Sequence, residues 1–199
     1  MYIAVMASHG GSILQAVIDA CEDGTLAAEI SLVISNNSNA VALTRAQKHG
    51  IATLHLSART HANADELDNT LTAALNEAKA DWVLLAGYMK KLGPHTLAAY
   101  RNRILNIHPA LLPKYGGQGF YGRNVHQAVL DAGDTESGAT VHLVEDQYDT
   151  GPILSQVRVQ VKPNDSVESL EERVKTAERN LIVATLMELG VQRAARKIG

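Results

Sequence analysis

The sequence predicts an α/β fold, a single domain built on a doubly wound, mostly parallel sheet with an antiparallel extension. Over the first half of the chain, short runs rich in Val, Ile and Leu alternate with longer segments of helical periodicity, the pattern of βαβ units. The 199 residues, 46% of them hydrophobic, suffice for one large core. Later in the chain two β-rich runs follow one another without a helix between them, which predicts the antiparallel extension.

The first half of the chain predicts five strands joined by four helices. The strands are expected near residues 2–7, 30–35, 52–56, 82–86 and 104–108. The helices are expected over about 12–22, 40–49, 63–79 and 93–100, opening near polar capping residues such as Ser12, Asn39 and Asn63. Each crossover between parallel strands should be right-handed.

The second half starts with a loop, because residues 114–123 contain four glycines and no periodic apolar pattern. A short helix is expected over about 124–132, and strands over 139–144 and 153–161 on either side of a turn at 149–152. A last long helix is expected from Ser166, capped with the help of Ser169 and Glu171, to about Leu189, where Gly190 should end it.

Composition excludes several classes of protein. A net charge of −3, a pI near 6.2 and no run of Lys and Arg before the last few residues disfavour a nucleic-acid partner. The single cysteine, Cys21, excludes an internal disulfide, and the N-terminus lacks the zones of a signal peptide. No apolar run is long enough to span a bilayer. A soluble, cytoplasmic protein without a membrane partner is therefore expected.

The fifth predicted strand ends on two polar side chains. Asn106 and His108 are two residues apart and point the same way, while Pro109 cannot continue the ladder. Open α/β sheets hold their ligands at this end of the strands, and paired donors there suit a carbonyl that becomes an oxyanion. Asp149, in a later turn, could hold the imidazole. Alternatively, Asn106 and His108 only satisfy backbone groups at the strand end.

The first strand-to-helix turn, residues 8–12, is a candidate anion site. Its backbone N–H groups and the helix dipole favour a phosphate there. The alternative is a tight turn that needs glycine only for backbone freedom. The turn has neither the ending of a Walker loop nor the three-glycine dinucleotide fingerprint.

Three segments together resemble the folate-dependent formyltransferases: Leu105 to Tyr115, Leu85 to Met89, and Asp149 to Pro152. Within this family the chain is most similar to the branch that formylates glycinamide ribonucleotide in purine biosynthesis. The resemblance implies a single formyltransferase-like, Rossmann-type domain over residues 1–199, with a phosphate-binding half near 1–100 and a folate-binding and catalytic half near 101–189. It also implies 10-formyltetrahydrofolate as co-substrate and no metal.

The family's site residues carry over to this chain position by position. The resemblance implies the catalytic residues Asn106, His108 and Asp149. It implies a substrate-phosphate site made of Gly10, Gly11, Ser12, Ile13, Lys175 and Glu178. It implies a folate-binding wall made of Leu85, Tyr88, Met89, Leu92, Val144, Glu145 and Asp146. The other histidines have no spacing typical of a metal site. His126 and His142 are expected to be surface or hydrogen-bonded structural residues, with a place in the lining of the cleft as the alternative.

The implied reaction is attack of a free amine on the formyl carbon, with Asn106 and protonated His108 stabilising the oxyanion and Asp149 favouring the charged imidazole. Two departures from the family pattern bear on it. Ile13 stands where the family's Gly-x-Gly-Ser-Asn turn has Asn, which should weaken phosphate binding. The loop 115–124, which carries Phe120, is longer than in compact members and is either a lid or a passive excursion.

Several other functions stay open on the sequence. A formyltetrahydrofolate hydrolase would use the same cleft, but such proteins usually carry a domain ahead of the first strand. A methionyl-tRNA formyltransferase normally adds a basic C-terminal domain. A formyltransferase for another amine, or a non-catalytic folate or nucleotide binder, would also fit parts of the pattern. An edge strand or an exposed helix could pair two copies into a homodimer.

Overall fold

The structure, a computed structural model, describes residues 1–196. Its sheet runs in the order β3-β2-β1-β4-β5-β6-β7, and the predicted α/β class with a mostly parallel sheet and an antiparallel extension is confirmed. The strands are β1 (Tyr2–Met6), β2 (Glu29–Ser35), β3 (Thr53–His55), β4 (Trp82–Leu85), β5 (Ile104–His108), β6 (Glu136–Leu143) and β7 (Ile153–Gln160). The helices are α1 (Ser12–Glu22), α2 (Val41–Lys48), α3 (Ala64–Glu77), α4 (Pro94–Ala99), α5 (Arg123–Asp131) and α6 (Val167–Arg196).

The chain divides into two compact units, one of Met1–Leu105 together with the end of α6 from Met187, the other of Asn106–Leu186. In the first unit β1 lies between β2 and β4 and is parallel to both. Residues 3–6 of β1 are fully buried, which explains why this strand is apolar throughout rather than alternating. The core of this unit is the apolar set from the strands and from the inner faces of α1 and α3.

The helix starts in the first unit only partly follow the predicted capping residues. Asn63 caps α3 as expected, accepting a hydrogen bond from the Glu66 N–H at 2.8 Å. In contrast, α1 starts after Gly11 and α2 after Ala40, with no side-chain cap on either, so the capping roles of Ser12 and Asn39 were wrong. Gly11 has a left-handed backbone, φ 70°, and a Cβ there would lie 2.8 Å from the Ala42 Cβ. The close approach of α1 to α2 therefore requires glycine at the start of α1.

In the second unit β6 and β7 form the predicted antiparallel pair, with His142 opposite Ile153 near the turn. β6 starts at Glu136, earlier than expected, because a Ser-Gly segment that reads as a turn is paired with β7. Gly138 is required there, since a Cβ would lie 2.1 Å from the Val157 carbonyl oxygen. Val129, Ala139, Leu170 and Val174 form a buried cluster that joins α5, β6 and α6.

The last helix is longer than expected. α6 runs to Arg196, so the predicted end at Gly190 was wrong. A terminating glycine adopts a left-handed backbone, which Gly190 does not have, and a glycine inside a helix costs only about 1 kcal/mol relative to alanine. The predicted start is correct: Ser166 and Ser169 exchange hydrogen bonds between side chain and backbone N–H at 3.0 and 3.2 Å. Within residues 1–196 there is no helix with the length and hydropathy needed to cross a membrane.

Candidate active site

β5 ends on two polar side chains in an otherwise apolar strand. Ile104, Leu105 and Ile107 are buried, and the alternation of the strand places Asn106 and His108 on one face, as predicted. The His108 side chain is only 5% exposed, so its imidazole must be hydrogen-bonded within the protein.

The turn between β6 and β7 brings Asp149 to these two residues. Its Oδ1 lies 3.3 Å from the Asn106 amide nitrogen, and its Oδ2 lies 3.5 Å from His108 Nδ1. Asp149 has a left-handed backbone, φ 56°, which aspartate tolerates better than most residues. Gly151 makes this turn possible, because a Cβ there would lie 1.9 Å from the Leu143 carbonyl oxygen. The structure thus brings the three residues together, and their catalytic role remains a prediction.

His142 is a fourth member of this cluster that sequence reasoning placed among structural histidines. Its Nδ1 lies 2.8 Å from the Leu143 carbonyl, which can only accept, so Nδ1 carries the hydrogen. Its Nε2 therefore accepts from the Asn106 amide at 3.0 Å and lies 3.4 Å from Asp149 Oδ1. The signal available in the sequence was the hairpin: residues 139–144 and 153–161 were predicted to pair, which places His142 at the base of the turn that carries Asp149.

His108 uses both of its ring nitrogens. Nε2 lies 2.7 Å from the Tyr115 carbonyl oxygen and donates to it, so in the neutral ring Nδ1 is the unprotonated nitrogen beside Asp149. Burial lowers the pKa of His108 below its ordinary value of 6.5, although the Asp149 carboxylate and the Tyr115 carbonyl oppose the shift. The imidazole is therefore mainly neutral at pH 7, which differs from the protonated His108 expected from the sequence.

Asp149 is the charged member of the cluster. Burial by itself would raise the pKa of Asp149, but the neighbouring His142 and His108 rings and the Gly117 N–H together lower it. The Gly117 N–H donates to Oδ2 at 2.9 Å. The carboxylate is consequently ionised at neutral pH, beside the His108 imidazole, whose charged form it can stabilise.

The predicted phosphate turn lies in the first unit. Gly10 is exposed, Ser12 is half-buried and the Ile13 side chain is buried, so Ile13 can offer only its backbone N–H to an anion. Several hydrogen bonds hold the turn in place; among them, Arg45 Nε donates to the Gly10 carbonyl at 2.8 Å, and the Met89 N–H donates to Ser8 Oγ at 2.8 Å. A rigid turn with a helix N-terminus behind it is what an anion site needs.

Lys175 and Glu178, the other two predicted phosphate-site residues, lie on α6 in the second unit. The Lys175 ammonium pairs with Glu171 at 2.7 Å. Glu178 is buried, and that burial raises its pKa to about 7, against the opposing charges of Lys175 and Arg179. A strongly raised pKa marks a candidate functional residue, and the phosphate-site role of Lys175 and Glu178 remains a prediction.

The residues predicted to form the folate-binding wall also lie partly in the first unit and partly in the second. In the first unit Leu85 and Leu92 are buried, Tyr88 is half-buried and Met89 is exposed. In the second unit Val144 is half-buried, and Glu145 and Asp146 are exposed. Their role as a folate site remains a prediction. Over residues 1–196 no group of three or more His, Cys, Asp or Glu side chains is arranged to hold a metal ion.

Comparison with known proteins gives the family. Residues 1–186 match the formyl transferase family model. The phosphoribosylglycinamide formyltransferase of Haemophilus influenzae is 40% identical over 176 residues, 88% of this chain and 81% of that protein. A chloroplastic phosphoribosylglycinamide formyltransferase of Arabidopsis thaliana is 40% identical over 182 residues, which span 91% of this chain and 62% of that longer protein.

Among solved structures, the phosphoribosylglycinamide formyltransferase of Coxiella burnetii superposes with a TM-score of 0.90 at 37% identity, covering 97% of this chain and 88% of the other. The sequence match and the fold agree. The chain therefore belongs to the formyl transferase family.

Proposed function

We propose that this chain transfers the formyl group of 10-formyltetrahydrofolate to the amine of glycinamide ribonucleotide, a step of de novo purine biosynthesis. The observation that carries the proposal is the buried cluster of Asn106, His108, His142 and Asp149, which combines an amide, two imidazoles and an ionised carboxylate at the end of β5. Relatives about 40% identical to this chain bear the name of that activity.

In the proposed reaction the amine attacks the formyl carbon, and charge develops on the formyl oxygen. The Asn106 amide donates to this oxyanion; since its hydrogens bond His142 and Asp149 in this structure, one of those bonds is exchanged when substrate binds. Neutral His108 takes the amine's proton at Nδ1, and Asp149 stabilises the resulting imidazolium. The proton then passes to the folate nitrogen as its bond to the formyl carbon breaks. The reaction requires no metal.

The substrates are held by the remaining predicted residues. The turn at residues 10–13, with Lys175 and Glu178, holds the phosphate and ribose of the amine substrate. Leu85, Tyr88, Met89 and Leu92, with residues 144–146, form the folate-binding wall. We propose that these parts work as a single formyltransferase domain, with phosphate binding mainly in residues 1–100 and folate binding and catalysis in 101–189. The boundary between the compact units, after Leu105, lies close to this division.

The proposed substrates also bear on the compartment and the partners of the protein. We propose that the protein acts in the cytoplasm on small molecules, with neither nucleic acid nor membrane as partner. A net charge of −3 provides no electrostatic attraction to a polyanion. A homodimer stays a hypothesis that size-exclusion chromatography with light scattering would test.

One assay separates this function from its alternatives. The purified protein is mixed with 10-formyltetrahydrofolate, with and without glycinamide ribonucleotide, and tetrahydrofolate release is followed by absorbance. Release only in the presence of the amine supports the transferase. Release without the amine supports a hydrolase instead, and no release in either mixture supports a non-catalytic binder. Repeating the assay with other phosphorylated amines tests whether glycinamide ribonucleotide is the natural acceptor.

A further inference from the structure

Three side chains behind His108 form a polar cluster that the proposed mechanism does not use. The Tyr115 hydroxyl donates to Asp134 Oδ2 at 2.7 Å. The Lys114 ammonium contacts both oxygens of the same carboxylate, at 2.7 and 2.5 Å, and lies 5.1 Å from the centre of the Tyr115 ring. The Tyr115 side chain is therefore held from two directions.

Tyr115 needs this restraint because its backbone is unfavourable. Its φ is 58°, in the left-handed region that a bulky aromatic residue rarely adopts. In this conformation the chain presents the Tyr115 carbonyl at 2.7 Å from His108 Nε2. A tyrosine in this region persists when its surroundings hold it there, and such outliers concentrate at functional sites.

The Tyr115 carbonyl decides which nitrogen of His108 can react. Because a carbonyl only accepts, it selects the ring form with hydrogen on Nε2 and leaves Nδ1 unprotonated, facing Asp149 at 3.5 Å. Without that acceptor, the opposite form with Nδ1–H donated to Asp149 would become available. That form places a proton on the nitrogen that has to accept one.

The next two residues hold Asp149 itself. A Cβ at Gly116 would lie 2.5 Å from Leu112 Cδ2 and 3.3 Å from the Asp149 Cβ, so the chain passes closely between these groups. Gly117 then donates its N–H to Asp149 Oδ2 at 2.9 Å. Residues 115–117 thus fix His108 and Asp149 together, and the side-chain anchor of this segment is the bond between Tyr115 and Asp134.

We propose that Asp134, acting through Tyr115, is a positioning residue that sets the ring form and direction of His108. The inference rests on the proposed formyl transfer, since it assigns Asp134 a part in readying His108 for that reaction. Asp134 acts on His108 through Tyr115: the Tyr115 hydroxyl bonds Asp134, and the Tyr115 carbonyl accepts from His108.

Two variants break the anchoring bond from opposite sides, Tyr115→Phe and Asp134→Ala; alanine is used because an asparagine oxygen could still accept from the Tyr115 hydroxyl. We expect each to lower kcat about tenfold, the smaller effect typical of removing an outer partner of a functional histidine, with both KM values within about twofold of wild type. The double variant should be no worse than the more damaged single variant, because both changes remove the same bond. Glu136→Gln, which breaks an exposed ion pair with Arg158 in the same unit, is the matched control and should leave kcat unchanged.

Nitrogen NMR of histidine-labelled protein measures the ring form directly, with the His108 signal assigned from a His108→Gln sample. In wild type we expect hydrogen on Nε2, and in the two variants a mixture with the Nδ1–H form. Unchanged kcat in both variants, or reduced kcat with an unchanged His108 signal, would overturn the inference. Circular dichroism and urea unfolding identify a variant that fails to fold, in which case the milder Tyr115→Phe decides.

The two proposals fail in different ways. If wild type releases no folate in the presence of the amine, yet the variants still change the His108 signal, the proposed function is wrong and the positioning by Asp134 stands. If wild type transfers the formyl group and the variants change neither kcat nor the signal, the positioning is wrong and the function stands.

Discussion

The charge on His108 sets the pH range in which the proposed reaction can run. Burial lowers the pKa of His108, His142 adds to the shift, and Asp149 and the Tyr115 carbonyl oppose it. Because His108 must be neutral to accept the proton of the amine, activity should fall as pH decreases through a pKa below 6.5. Above that pKa the imidazole is neutral and activity should be independent of this group.

Asp149→Asn tests this assignment. The change removes the carboxylate that raises the pKa of His108, so the acid limb of kcat/KM should move to lower pH, not higher. Loss of the charge that stabilises the imidazolium should also lower kcat by about a hundredfold. The measurement is a pH series of initial rates for wild type, Asp149→Asn and the surface control Asp131→Asn. An acid limb displaced to higher pH, or wild-type turnover, would show that Asp149 does not act on His108.

Glu178 makes a second residue-scale prediction, about stability. Burial raises its pKa from an ordinary value of 4.5 to about 7, with Glu171 adding to the shift and Lys175 and Arg179 opposing it. The folded state therefore holds this proton more tightly than the unfolded chain does. The free energy of unfolding should decrease as pH rises from 4.5 to 7, and above pH 7 the full penalty, about 3 kcal/mol, should be present.

Glu178→Gln removes the group that titrates and keeps its shape. Its free energy of unfolding should equal that of wild type near pH 4 and exceed it by up to about 3 kcal/mol at pH 8, in urea titrations across this range. The same variant should lose affinity for the phosphorylated amine if Glu178 contacts the ribose. Glu172→Gln, at an exposed position of the same helix, is the control. Parallel stability curves for wild type and Glu178→Gln would contradict the raised pKa.

At the scale of elements, α4 is the helix whose start depends most on another element. Its N-cap residue, Gly93, has no side chain to offer. Asp68 from α3 replaces that cap: its buried carboxylate accepts from the His95 N–H at 2.7 Å, the Thr96 N–H at 3.2 Å and Thr96 Oγ at 2.5 Å. A Cβ at Gly93 would lie 2.3 Å from this carboxylate, so a residue with a side chain at position 93 would displace the Asp68 cap.

Asp68→Ala should therefore destabilise the protein by about 1–3 kcal/mol, because two backbone donors and a buried hydroxyl lose their acceptor. Asp65→Ala is a matched control on the same helix, since the exposed Asp65 pairs with the His95 side chain at 2.8 Å. That surface pair should contribute less than about 1 kcal/mol. Urea unfolding measures both variants. Equal effects of the two changes would mean that the cap on α4 adds nothing.

The elements show which sequence signals sufficed for prediction. β5 was predicted correctly because an apolar run, an alternating polar pair and a proline define both its face and its end. Asn63 was predicted correctly as a cap from its residue type at the start of a helical pattern, and its side chain accepts from the Glu66 N–H. The starts of α1 and α2 were predicted to within one residue, but their capping residues were not, since neither helix has a side-chain cap and Gly11 contacts Ala42, which is far away in the sequence. Gly190 was misread because a helix can continue through a glycine.

At the scale of the whole molecule, the sequence predicted the fold class and the meeting of Asn106, His108 and Asp149 better than it predicted their neighbours. The β6–β7 hairpin brings His142 to the end of β5. Tyr115, which has a left-handed backbone as Asp149 does, connects Asp134 to His108. Such contacts depend on pairing and backbone angles that no local pattern contains. The resemblance to the formyltransferases implied substrate-binding roles for residues in both compact units. Measurements of ligand affinity, rather than distances in the structure, test these roles.

Substrate binding should stabilise the whole molecule, and this gives the last prediction. A ligand that binds only the folded state at a hundred times its Kd adds about 2.7 kcal/mol, which for a chain of 199 residues raises Tm by several degrees. Lys175→Met removes the cation proposed for the phosphate. Lys175 gives up its ion pair with Glu171 when it binds the phosphate, so its net contribution should be small. Its loss should weaken binding of glycinamide ribonucleotide about tenfold, the lower end of the range for a hydrogen bond to a charged group.

The measurement is a thermal shift titration with glycinamide ribonucleotide and, separately, with inorganic phosphate. Lys175→Met should need about ten times more of either ligand to reach the wild-type shift, whereas its Tm without ligand should change little, because the Lys175 pair with Glu171 is partly exposed. Lys162→Met removes one equally positive, exposed charge from the same unit and should behave as wild type. If both lysine variants weaken binding alike, the effect comes from net charge, and Lys175 does not hold the phosphate.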